Sequence, residues 1–140
     1  MLESDVEILL IEDNPREVEL TLLALRKHGM AKRVQVARDG AEALELFFGR
    51  QPPLRPKLVL LDLKLSKVTG LEVLRRLKQD PKTQMIPVVV LTSSDIESDV
   101  TECYRLGANS YLRKPVEFRT FTEAARTIGA YWLGMNRSPP

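Results

Sequence analysis

A chain of 140 residues, 44% hydrophobic and 29% charged, has the make-up of one globular soluble domain with an ordinary core. Its net charge of +2 gives no drive toward nucleic acid or an anionic membrane, and no apolar run approaches the roughly 20 residues of a spanning helix. One cysteine, Cys103, excludes an internal disulfide and suits a reducing cytoplasm, and the acidic start Met1-Leu2-Glu3-Ser4-Asp5 lacks the basic opening of a secretory signal.

Val6 to Ile11 is an apolar run that ends in acid, Glu12-Asp13. Asn14-Pro15-Arg16-Glu17 then reads as an N-cap, a proline at the first helical position and a capping-box glutamate. Val18, Leu22 and Leu25 follow at helical spacing, and His28-Gly29 closes the helix as a terminal cation before a glycine. Val34 to Ala37 is a weaker, alternating strand of edge type. Asp39-Gly40-Ala41-Glu42 opens a second helix that buries Leu44, Phe47 and Phe48, and the proline-rich segment 51–56 is an extended loop.

Leu58-Val59-Leu60-Leu61 is four apolar residues running into Asp62, the signature of a strand buried on both faces with a carboxylate at its exit. Thr69-Gly70-Leu71-Glu72 caps a third helix with Leu71, Leu74 and Leu77 on one face. Ile86 to Leu91 is a second buried run, ending at Thr92, and Ser94 to Glu97 is expected to cap a fourth helix carrying Val100 and Cys103. Asn109 to Leu112 is a short strand followed by Arg113-Lys114-Pro115, and a last helix starts near Glu117.

This is β-α five times over, which implies an α/β fold with a doubly wound five-stranded parallel sheet covered by helices on both faces. All strands then point one way, so Glu12, Asp13, Asp62, Thr92 and Lys114 share the carboxyl rim, where open α/β sheets bind ligands. Like charges about 4 Å apart repel by roughly 4 kcal/mol at an effective dielectric of 20, so gathered carboxylates call for a cation. Hard oxygen donors without imidazole or thiolate favour Mg²⁺ or Mn²⁺ over zinc. A carboxylate beside such an ion can attack phosphorus, with a lysine and a hydroxyl holding the phosphoryl oxygens.

The set Glu12-Asp13, Asp62, Thr92 and Lys114-Pro115, with Gly70 after the acceptor, resembles the receiver domain of two-component response regulators over about residues 5 to 130. The resemblance implies a flavodoxin-like receiver fold with strand order 2-1-3-4-5 and a single domain over 1–140, its last helix extended over about 131–140. It implies Asp62 as phosphoacceptor, Mg²⁺ held by Asp13, Asp62 and the Lys64 carbonyl with Glu12 assisting, and phosphoryl contacts from Thr92 and Lys114. It also implies a cis Lys114–Pro115 bond and Tyr111 as a switch aromatic that answers Thr92. The phosphodonor would be a sensor histidine kinase and the readout a downstream protein partner, with no nucleic acid or membrane as target. The loop before the third strand, Gly107-Ala108-Asn109-Ser110-Tyr111 and Tyr131-Trp132-Leu133 resemble a narrower group, stand-alone receivers paired with bacterial phytochromes.

Two positions depart from the family pattern: Ser66 replaces a proline four residues after the acceptor, and Lys64 places a long cation two residues after it. With no residues left for an output domain, signalling is expected to act through partners. The stripe Phe118, Phe121, Ala125, Ile128, Trp132, Met135 is first a core stripe, but a helix over 117–135 spans about 28 Å and overhangs a compact domain. Phe118, Phe121, Ile128, Trp132 and Met135 are therefore the expected homodimer or partner surface. Simpler roles stand beside these: His28 as a helix-end partner, Cys103 as core, and Arg75-Arg76-Lys78 as a solvated face. A Mg²⁺-dependent phosphatase of the haloacid-dehalogenase pattern needs a second aspartate where Lys64 stands. A pseudo-receiver would lack the acid, Thr and Lys set, and a flavin module would need a glycine-rich loop where Asp13 and Pro15 stand.

Overall fold

The computed structural model describes residues 6–27, 29 and 33–140. Its apolar runs are strands β1 (Ile8–Ile11), β3 (Leu58–Leu61) and β4 (Val88–Thr92), buried at every position. The more polar β2 (Val34–Ala37) and β5 (Ser110–Arg113) are partly exposed edges. The sheet is wholly parallel in the order β2-β1-β3-β4-β5. Helices α1 (Pro15–Lys27), α2 (Gly40–Phe48), α3 (Gly70–Gln79), α4 (Glu97–Leu106) and α5 (Phe118–Gly129) make the crossovers.

Because strand side chains alternate, each strand feeds two cores. Leu9, Ile11, Val59 and Val90 pack with Phe47 of α2, Leu77 of α3 and Cys103 of α4. Ile8, Leu10, Leu60 and Val89 pack with Val18 and Leu25 of α1 and with Ala125 and Ile128 of α5. Cys103 is fully buried, and burial above all pushes its thiol up to about 11, which leaves it an inert core residue.

Side-chain caps start three of the helices. Asn14 Oδ1 accepts from the Arg16 and Glu17 N–H groups, Asp39 Oδ1 from Glu42 N–H, and Thr69 Oγ1 from Glu72 N–H. Gly70 has a second function. A Cβ there would come within 2.4 Å of the Asp62 carbonyl oxygen and 2.6 Å of Leu63 Cα, both backbone atoms that cannot swing aside. Gly70→Ala is expected to destabilise the fold by about 2–3 kcal/mol and to displace the segment carrying Asp62. Urea unfolding checks the first effect, and slowed phosphorylation checks the second.

The charged run on α3 is not simply solvated. Arg76 lies 5.3 Å from the Phe48 ring centroid, and Arg75 pairs with Glu72 and with Gln79. Lys78 turns inward and donates to the Gln84 and Ile86 carbonyls and to Asn109 Oδ1 at 2.8–3.0 Å, tying the end of α3 to the loops before β4 and β5. His28 lies outside the described residues.

The last helix departs from a uniform α-helix. After Gly129 it widens into a π-helical segment, Ala130–Met135, which breaks the 3-4 spacing. Phe121 and Ile128 are buried within the chain, which removes these two from the expected dimer surface; Trp132 packs only partly against the core that α5 shares with α1. Phe118 and Trp132 are half-buried, while Tyr131 and Met135 face solvent.

Candidate functional site

The strand ladder extends one residue past the strands and fixes the rim. Ile11 pairs with Leu61, and the next two N–H groups are also held: Glu12 by the Ala37 carbonyl and Asp62 by the Ile11 carbonyl, both at 3.0 Å. Asp62 and Glu12 therefore emerge side by side. Lys114 N–H donates to the Thr92 carbonyl at 2.7 Å, carrying the β4–β5 pairing onward and setting where the lysine leaves the sheet. The Lys114–Pro115 bond is trans, which corrects the cis expectation; among the described residues the cis bond is Gln51–Pro52. Strand pairing alone is enough to place the lysine.

Oxygens of Glu12, Asp13 and Asp62 lie within 4.8 Å of one another. Glu12 and Asp62 are buried, and the Lys114 ammonium stands among them. It forms a short ion pair with Glu12 Oε1 and lies 3.7 Å from Glu17 Oε1 and 4.0 Å from Asp62 Oδ2. Burial, aided by the Asp62 charge and opposed by Lys114, pushes the Glu12 carboxyl up to about 7. Asp62 Oδ1 is buried with no hydrogen-bond partner. A buried carboxylate oxygen left bare beside two further carboxylates is a deficit of positive charge, and a hard divalent cation matches that donor set.

Asp13 reaches across to the loop after β3, where its Oδ2 accepts the Ser66 N–H at 3.1 Å. Proline at that position would have no N–H to give, so the serine ties the loop directly to the acid cluster. Lys64 is exposed in the same loop.

Thr92 ends β4 and is fully buried. By the register Leu61–Val90 it stands one residue beyond the level of Asp62. Its Oγ1 accepts the Ser94 N–H at 3.4 Å. Ser94, expected only as part of a helix cap, is a hub. Its hydroxyl donates to Asp99 Oδ2 at 2.7 Å and accepts from Ile96 N–H, while its carbonyl accepts the Tyr111 hydroxyl at 2.8 Å. Ile96, at the N-cap of α4, offers no side-chain cap of its own. Tyr111, from β5, packs against the core shared by α3 and α4, and burial raises its phenol above the ordinary value. A hydrogen-bonded path thus joins Thr92, through Ser94, to Tyr111 and the first turn of α4.

A carboxylate one residue past a short central strand, flanked by acids, a lysine and a hydroxyl on the rim of a 2-1-3-4-5 sheet, defines a class: signalling domains that accept a phosphoryl group on aspartate. The chain belongs to the response regulator receiver domain family, whose model matches residues 8–126. It is 37% identical to Response regulator Rcp1 of Synechocystis sp. over 131 residues, 90% of this chain and 88% of that protein. It is 42% identical to the probable methanogenesis regulatory protein FilR2 of Methanothrix harundinacea, over 94% of this chain and 86% of the relative. The phosphorylated cyanobacterial phytochrome response regulator RcpA superposes with a TM-score of 0.90 at 35% identity, over 96% of this chain and 99% of that one. No helix among the described residues is long and apolar enough to cross a membrane.

Proposed function

We propose that Asp62 is the phosphoacceptor of this receiver domain and that its donor is the phosphohistidine of a sensor kinase. The observation that carries the reading is the buried, unpartnered Asp62 Oδ1 with Lys114 4.0 Å from the other oxygen of the same carboxylate. An Asp62 oxygen forms the new P–O bond, the P–N bond of the donor breaks, and the electron pair stays on the imidazole nitrogen. Lys114 and the Thr92 hydroxyl meet the transferred oxygens. Glu12, Asp13, Asp62 and the Lys64 carbonyl would hold Mg²⁺ or Mn²⁺, which supplies charge neutralisation for the phosphoryl group. The chemistry catalysed is its own phosphorylation and hydrolysis; sustained turnover of a small phosphate ester would instead support a phosphatase.

The likeness to the cyanobacterial phytochrome response regulator RcpA supports a phytochrome-type kinase as partner. The test is transfer of labelled phosphate from autophosphorylated kinase. A bacteriophytochrome should pass its label within minutes, and unrelated kinases should not. A domain labelled equally by all of them would contradict the pairing.

The Thr92–Ser94–Tyr111 path is the proposed switch. When Thr92 turns to the phosphoryl group, the Ser94 N–H loses its acceptor and α4 and Tyr111 readjust. A homodimer or downstream protein would read the result, with Phe118, Trp132 and Met135 as the remaining candidates for contact. Sedimentation showing a monomer with and without a phosphate mimic would contradict the dimer.

Lys64 stands exposed two residues beyond the acceptor and screens the acyl phosphate from water. Lys64→Asn is expected to shorten the phosphate lifetime about threefold. A decay at the wild-type rate, followed by intact mass, would remove that role.

A further inference from the structure

The sequence places Glu17 where a capping-box glutamate would bond back to Asn14, and the structure gives that bond to another residue. Asn14 N–H lies 3.3 Å from Glu12 Oε2. Asn14 Oδ1 serves the N–H groups of Arg16 and Glu17. The Glu17 carboxylate is left for a different partner and lies 3.7 Å from Lys114 Nζ. It stands outside the three-carboxylate cluster that suits a cation. With Asn14, Arg16, Ser93, Lys114, Pro115 and Phe118 it lines a cleft of about 420 Å³.

Lys114 is therefore shared by three carboxylates: buried Glu12 by a short contact, Glu17 at 3.7 Å and Asp62 at 4.0 Å. To meet a phosphoryl group on Asp62, the ammonium must give up part of that pairing. Glu12 is held by its burial and by the Asn14 N–H. The Glu17 side chain is 35% exposed and readily solvated when released. Its negative charge also stands in the same cleft as Lys114, and every phosphodonor is an anion.

We propose that Glu17 is a positioning residue that holds Lys114 back from the acceptor and repels small anionic donors. It keeps phosphorylation by free acyl phosphates slow in the absence of a docked kinase. The inference rests on Asp62 being the acceptor. With acetyl phosphate as donor, an Asp62 oxygen bonds to phosphorus, the bond from phosphorus to the acyl oxygen breaks, and acetate leaves with the electron pair. Lys114 moves from Glu17 toward the transferred oxygens.

The test is the initial rate of phosphorylation by acetyl phosphate and Mg²⁺, read by intact mass for wild type, Glu17→Gln and Glu17→Asp at low and high salt. Glu17→Gln is expected to react about three- to tenfold faster at low salt. That advantage should shrink as salt screens the charge, and Glu17→Asp should return toward the wild-type rate. A merely structural role would leave the salt dependence unchanged. With a wild type that does take up the phosphoryl group, Glu17→Gln reacting at or below the wild-type rate, or faster by a factor indifferent to salt, overturns this inference alone. A wild type that takes up no phosphoryl group overturns the acceptor reading, and this inference with it.

Discussion

Asp62→Asn is expected to take up no phosphoryl group under conditions that load one onto the wild type, and to be more stable than the wild type when metal is chelated. The two effects have one cause. Asp62 is buried among Glu12 and Asp13, with one oxygen bare and the other 4.0 Å from a lysine already committed to Glu12. Neutralising it relieves carboxylate repulsion and the desolvation of an under-paired charge, and it leaves Lys114 wholly to Glu12 and Glu17. A gain of about 1–2 kcal/mol is expected by urea unfolding in EDTA. With saturating Mg²⁺ the order should close or reverse, since binding to the folded state stabilises the wild type more than a variant lacking a carboxylate ligand. Here the fold carries a local cost for the sake of its chemistry. A variant less stable than wild type in EDTA would show that the site is not the charge deficit described.

Lys114→Met should act in the opposite direction on stability and in the same direction on activity. It removes the cation from Glu12 and Asp62, both buried. Breaking a buried pair from one side costs about 3–5 kcal/mol when the remaining charge has no escape. Glu12 has one, because it can take a proton. Its folded-state value is already raised to about 7 from 4.5, and losing the lysine moves it further up. A carboxyl with a raised folded value gives stability that is full below its unfolded value and lost as pH rises through the folded one. The deficit of Lys114→Met in EDTA should therefore be about 3 kcal/mol near pH 8 and about half that near pH 5. The rate of phosphorylation should fall by about a hundredfold, the typical loss when one preorganised charge facing the reacting oxygens is removed. An equal deficit at both pH values would place the proton on some other group.

The fold was legible because its signals are local. Four apolar residues before Asp62 mark a strand covered on both faces, and Asp39 and Thr69 mark helix starts by accepting the Glu42 and Glu72 N–H groups, although Glu42 and Glu72 turn their carboxylates to Arg38 N–H and Arg75 instead of back to the cap. Parallel order then carries residues far apart in sequence to one rim, which is why the acid cluster could be anticipated. The details that escaped depend on who wins a shared partner in three dimensions. Glu17 has the spacing of a capping box, but Glu12 accepts the Asn14 N–H, and nothing in the local pattern ranks the two. Lys78 sits in a run of charges, yet two backbone carbonyls and Asn109, all supplied by distant loops, draw it in. Ser66 departs from the family's proline, and its consequence lies not in the side chain but in the N–H, which donates to Asp13. The stripe on the last helix was read at constant pitch, and the π-helical segment after Gly129 changes that pitch.

The central claim is that the phosphoryl group resides on Asp62 as an acyl phosphate. Borohydride reduction of protein treated with acetyl phosphate and Mg²⁺, followed by peptide mass mapping, tests it most directly, since an aspartyl phosphate is reduced to homoserine. The account predicts homoserine at position 62 and none when Mg²⁺ is replaced by EDTA. Homoserine at Asp13 or elsewhere, or a stable phosphate on a histidine, serine or threonine with Asp62 intact, would contradict it.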